Sequence, residues 1–183
     1  KMDEKLQEYL KSKARQYFCM TNALQLPIAI TYQTPETLGF DRIANAVGAN
    51  HLFPNRNVLV IDAGTAITYD FIDSSNAFTG GNISPGCVIR FRSLHEYTDK
   101  LPLLQPDTEY DFRGNNTREA IVNGVMNGIF FEVQEYIKQF ITTENNACVI
   151  LTGGDSLYIY NRLNDSVLLQ KDLGIIGLNI IIE

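Results

Sequence analysis

Asp62 is the first residue of this chain that asks for a chemical explanation. It ends the apolar run Val58-Leu59-Val60-Ile61 and is followed by Ala63-Gly64-Thr65. A carboxylate at a strand end, a glycine that lets backbone N–H groups approach closely and a threonine hydroxyl together suit a cation or phosphate oxygens. The same residues suit a hairpin turn, where Asp and Gly serve conformation alone. Leu38-Gly39-Phe40-Asp41-Arg42 carries a similar ambiguity. Asp41 is either a first-turn acid favoured by the helix dipole or, with Arg42 and Tyr32 upstream, part of a site for an acidic small molecule. Thr152-Gly153-Gly154-Asp155 leaves bare backbone for a base or ribose, with Asp155 as candidate N-cap, or simply turns a strand into a helix. The segment Gly80–Gly86 either lines a ligand or connects two elements.

These residues sit in an ordinary globular background. The chain has 183 residues, 45% of them hydrophobic and 20% charged, which suits one large domain or two small ones. A net charge of −6 with no basic block argues against a nucleic-acid backbone as partner. An anionic substrate must then be met by local donors or by a metal ion. No apolar run is long enough to cross a bilayer, and no signal-peptide pattern opens the chain. Cys19, Cys87 and Cys148 are odd in number and widely spaced, so they form neither a disulfide framework nor a zinc pattern and fit reduced, cytoplasmic thiols. His51 and His95 have no metal-site spacing, and a histidine triad has little support.

The elements that must position these groups can be read from periodicity. Residues 3–19 place Leu6, Leu10, Ala14 and Tyr17 on one helical face. A short strand is expected at 27–32, a helix after Gly39 with Ile43, Ala44 and Val47 inward, and a boundary near residue 56. Strands follow at 58–62, at about 66–72 and through Ala77–Ser84, then a helix after Pro85. The clearest helix runs from Asn116 to Phe140, with Asn116 and Glu119 at capping-box spacing and Gly124 and Gly128 leaving one face bare. A buried strand at 148–152, a further helix and an apolar terminal helix complete the chain. An initial antiparallel meander followed by alternating strands and helices suits an α/β domain of the ribonuclease H-like kind.

Taken in order, Tyr32, TPETLGFDR, DAGTAIT, GGNISPG, RGNNTREAI and TGG resemble the type III pantothenate kinases, a family of the actin, hexokinase and Hsp70 superfamily. The likeness runs from about residue 27 to the end; TPETLGFDR and GGNISPG are its specific parts, whereas DAGT is shared across the superfamily. The resemblance implies phosphorylation of pantothenate to 4′-phosphopantothenate by ATP with Mg²⁺, the first step of coenzyme A synthesis, in a cytoplasmic homodimer. It implies Asp41 as general base, and Tyr32, Gly39, Phe40, Asp41, Arg42 and Thr117 as pantothenate-binding, Thr117 acting across the dimer interface. Thr65 would touch ATP, and Asp62 would ligate a monovalent cation, K⁺ or NH₄⁺. The family's first strand and its D-x-G-N-T/S phosphate loop have no counterpart here, and Lys1 precedes any methionine. A complete C-terminal ribonuclease H-like lobe (57–183) and a partial N-terminal lobe (1–56) of a longer kinase are therefore expected, the residues given binding pantothenate weakly and turning over poorly alone. Two rivals stand beside this reading: a non-catalytic accessory or regulatory relative, and a superfamily kinase for another small hydroxy acid.

Overall fold

The computed structural model describes residues 4–21, 24–163 and 167–183. In chain order the elements are α1 (Glu4–Lys13), β1 (Ala29–Ile30), a 3₁₀ turn (Pro35–Thr37), α2 (Phe40–Leu52), β2 (Asn57–Ala63), β3 (Ala66–Ile72) and β4 (Ala77–Pro85). There follow α3 (Cys87–Glu96), α4 (Thr117–Thr143), β5 (Ala147–Thr152), α5 (Leu157–Tyr160), β6 (Val167–Leu169) and α6 (Leu173–Ile182). The strands form one sheet in the order β1-β4-β3-β2-β5-β6. β3 is antiparallel to β2 and β4, while β2–β5, β5–β6 and β1–β4 are parallel. Counted from β2, this is the 3-2-1-4-5 order of a ribonuclease H-like sheet, its second strand reversed, with β1 added at the β4 edge.

β2 reads as continuously apolar because both faces of the sheet are covered. Val58 and Val60 join a core with Ile43, Val47, Ile150 and Leu173 beneath α2 and α6. Leu59, Ile61 and Ala63 point the other way, into a core with Tyr69, Phe91, Val122 and Ile129 beneath α3 and α4. α4 begins as its capping pattern predicts: the Asn116 side chain accepts a hydrogen bond from the Glu119 N–H at 3.0 Å. Glu119 reaches back to the N–H of Asn115, at 2.8 Å, rather than to that of Asn116. The expected boundary after residue 56 falls in the turn between α2 and β2, and β1 and α2 pack on the same sheet as the later strands.

Three expectations need correcting. The first helix, expected from residue 3 (outside the described residues) to 19, ends at Lys13, and none of its described residues is buried. Asp155 is not a cap: the N-cap of the four-residue α5 is Ser156, without a side-chain cap bond, because the Asp155 N–H is drawn back to the Ala63 carbonyl at 2.8 Å. β6 was not anticipated, since three residues between polar neighbours show no period, yet pairing with β5 fixes them.

Candidate active site

The alternation that separates the two cores also aims the site. Asp62 of β2 and Thr68 and Asp70 of β3 share the face beneath α2; Asp62 stands opposite Thr68, and Val60 opposite Asp70. A run of polar groups at one end of an otherwise apolar face needs partners, and α2 supplies them. Arg42 Nε donates to Asp70 Oδ1 at 2.7 Å, with Thr68 Oγ1 donating to Asp70 Oδ2 at 3.0 Å. The Asn45 amide donates to Asp62 Oδ2 at 2.7 Å. Asp70 is 0% exposed, Asn45 4% and Arg42 6%, so these are interior contacts.

α2 comes this close because its other side meets α6 backbone to backbone at two glycines. A methyl on Gly48 would stand 2.5 Å from the Leu173 carbonyl, and one on Gly177 would overlap the carbonyl of Ala44. Gly153, in the turn after β5, has φ +95°, a conformation that favours glycine. A Cβ there would collide with Asp62 Oδ1 and the Ala63 carbonyl. The β2–β3 turn and the β5–α5 turn are thus pressed together around the Asp62 carboxylate.

Above them opens a cavity of about 590 Å³, within the range usual for small-ligand sites. Its walls are Phe40, Asp41, Ala44 and Asn45 of α2, Gly174, Ile175 and Leu178 of α6, and Lys171; its floor is Asp62 with Thr152, Gly153, Gly154, Ser156 and Leu157. The Ser156 hydroxyl is buried and has no hydrogen-bond partner among the described residues. Burial raises the Asp62 carboxyl above its ordinary value; the Asn45 bond opposes this and the Asp41 charge adds to it. Burial likewise raises Asp70, against the opposing pull of Arg42.

Of the residues singled out in the sequence, Phe40, Asp41, Asp62, Thr152, Gly153 and Gly154 line this cavity. Asp41 Oδ1 accepts from the Arg42 N–H at 2.9 Å, so it serves as a first-turn acid and faces the cavity as well. Gly39 is the N-cap of α2. Arg42 is directed down to the sheet, its guanidinium 5.5 Å from the Phe78 ring. Its buried Nη2 lies beside Asp70 Oδ1 without the geometry of a hydrogen bond. Tyr32 packs edge-on against Phe78 at 5.9 Å. Thr65 is exposed at the β2–β3 turn, its carbonyl accepting from the Gly86 N–H at 3.0 Å. Thr117 opens α4 and lines a separate cavity with Arg90, Leu101 and Gly124. Asn45, Asp70, Ser156 and Lys171 were not singled out. An asparagine and a strand aspartate at positions that periodicity marks as buried were the available signals.

The donor set around Asp62 is oxygen only, and among the described residues no three His, Cys, Asp or Glu side chains gather as for a transition metal. Asp62 Oδ1 and the Ala63 carbonyl both border the space beside Gly153, oxygen ligands of the kind a weakly charged cation takes.

The sheet order, with glycine turns facing a cavity, puts the molecule in the ribonuclease H-like fold class. Within it, the sequence profile of the type III pantothenate kinases matches residues 1–139. A type III pantothenate kinase of Porphyromonas gingivalis is 41% identical, the match spanning 99% of this chain and 75% of that protein. One from Azobacteroides pseudotrichonymphae is 42% identical over 97% of this chain and 72% of its own. The crystal structure of a conserved putative Baf family transcriptional activator from Campylobacter jejuni is similar at a TM-score of 0.67 and 25% identity, covering 99% of this chain and 78% of that one. The chain belongs to the type III pantothenate kinase family.

Proposed function

We propose that this protein transfers the γ-phosphoryl group of ATP to the hydroxyl of pantothenate, giving ADP and 4′-phosphopantothenate for coenzyme A synthesis, as a cytoplasmic homodimer. The observation that carries this reading is that Asp41 and Asp62, on different elements, line one cavity with the Gly153–Gly154 backbone in a chain of this family. Phosphoryl transfer asks a protein mainly to position its reactants and neutralise charge.

Asp41 receives the proton of the pantothenate hydroxyl as its oxygen attacks the γ-phosphorus and the bond to the β-phosphate oxygen breaks. Gly39, Phe40 and Tyr32 form the pantothenate side with Arg42, whose guanidinium is held on the sheet by Asp70. Thr117 acts in the partner's site, which agrees with its lying in a cavity apart from Asp41. Thr65 meets ATP, which arrives with Mg²⁺. Asp62 and the neighbouring backbone carbonyls hold K⁺ or NH₄⁺, which supplies positive charge beside the phosphates.

The test is ADP release by the product of the complete gene, with and without pantothenate and K⁺. Pantothenate-dependent turnover that K⁺ stimulates is expected. Its absence sinks the reading in favour of a non-catalytic accessory or regulatory role; turnover with another hydroxy acid alone favours a kinase of different substrate.

A further inference from the structure

Nothing in the proposed chemistry uses Asn45, yet it is the only amide among the described residues that line the cavity beside Asp62. It lies one helical turn after Asp41, is 4% exposed, and spends its amide N–H on Asp62 Oδ2. The other oxygen of that carboxylate, Oδ1, faces the glycine turns: it lies 3.9 Å from the Cβ position of Gly64 and closer still to that of Gly153. The two oxygens of Asp62 are therefore divided, one tied to α2 and one presented to the turns.

We infer that Asn45 is the positioning residue for the cation at Asp62, fixing the carboxylate plane so that Oδ1 alone is offered as ligand. This inference rests on the reading of Asp62 as a cation ligand. The residue type is informative. A lysine or arginine at 45 would neutralise the carboxylate and repel a cation; a carboxylate would repel Asp62. A serine would be too short to span from the helix to the strand end. A neutral amide orients the carboxylate while leaving its charge for the ion, the part that outer partners of metal ligands play elsewhere.

The place of the amide is set by α6. Its Oδ1 lies 3.1 Å from where a Cβ on Gly174 would stand, so the bare backbone of α6 leaves the carboxamide room in this rotamer. A methyl at 174 presses on the amide from the side opposite Asp62. Substitutions on two different helices should therefore produce one phenotype.

The experiment is K⁺ titration of the complete gene product with a non-hydrolysable ATP analogue present, following the rise in Tm and, with Tl⁺ in place of K⁺, ²⁰⁵Tl NMR. Neither readout needs turnover. Asn45→Ala should raise the half-saturating K⁺ about tenfold or more, the loss usual for outer partners of metal ligands. Gly174→Ala should shift it the same way by a smaller factor, and KM for pantothenate should change less than the K⁺ requirement in both. If Asn45→Ala lowers Tm but leaves the K⁺ titration as in the wild type, the amide is structural and the inference fails. If Asn45→Ala does not fold, Gly174→Ala decides, and an unchanged K⁺ titration there overturns the inference. Asp62→Ala is the separate control: if it too responds normally to K⁺, the ligand assignment itself is wrong.

Discussion

Each face of the sheet carries an arginine–carboxylate pair, and the two pairs are opposite in character. Under α2, Arg42 meets Asp70 at 2.5 Å with side-chain exposures of 8% and 0%. Under α3 and α4, Arg90 meets Glu132 at 2.5 Å with exposures of 21% and 24%. Arg90 is further satisfied by the Pro85 carbonyl and the Ser84 hydroxyl, and Glu132 also accepts from the Tyr69 hydroxyl at 2.8 Å. Burial pushes Glu132 up, but the bonds from Arg90, Tyr69 and Ser84 outweigh it and hold the carboxyl below its ordinary value of 4.5. On the α2 face the balance reverses: burial outweighs the partners and leaves Asp62 and Asp70 raised. One face spends its polar groups on being stable. The other buries its carboxylates at a cost to their charged forms, as at sites where environment is set against ionisation.

The sharpest test of that contrast is Asp41→Asn. It should lower kcat by about 10²–10⁴-fold, the usual contribution of a positioned base, with Tm unchanged. An unchanged kcat removes Asp41 from the chemistry. Breaking the pairs should separate the faces next. Arg42→Met strands a buried charge and should cost about 3–5 kcal/mol in urea unfolding, part of it recovered by adding Asp70→Asn. Arg90→Met, at a pair only partly buried, should cost less, about 1–2 kcal/mol. Equal losses would erase the distinction. Gly177→Ala forces α6 away from the Ala44 carbonyl and should destabilise by about 1–3 kcal/mol, where Gly124→Ala, which meets nothing within 4 Å, should be neutral or better.

The smallest effect is a pH dependence. Because the folded Glu132 carboxyl is lowered, its contribution is present above its unfolded value and lost as pH falls through the folded one. Glu132→Gln should therefore lower Tm by about 2–4 °C at pH 7, equivalent to about 1 kcal/mol in a chain of this size. The gap should close in acid. A constant gap across pH would show that the charge is not what stabilises this face.

The strands and long helices were legible because their periods are strong: β3 runs over the expected residues, and α4 starts at its expected cap. Asp41 and Asp62 were legible as candidates because carboxylates beside glycines are conspicuous. Their meeting in one cavity was legible only through the family resemblance, since it depends on the α2–α6 approach and no local pattern carries a distance between helices. Asn45 escaped for a related reason. In an alanine-rich helix its partner lies on a strand 17 residues away, and only the fold brings them together. The end of α1 at Lys13 shows the converse, an apolar period that runs on past the helix it was expected to extend.

The backbone contact between α2 and α6 has a mechanical consequence. Where helices meet through side chains, a small displacement of one is absorbed by rotamer changes before the other feels it. At Gly48 and Gly177 main chain rests on main chain, with the Leu173 side chain packed beside the contact. α2 and α6 must therefore travel together, and they form facing walls of the same cavity. The width of that cavity is held by a contact with no play in it, so the separation between Asp41 and the apolar wall of Ile175 and Leu178 behaves as a fixed gauge.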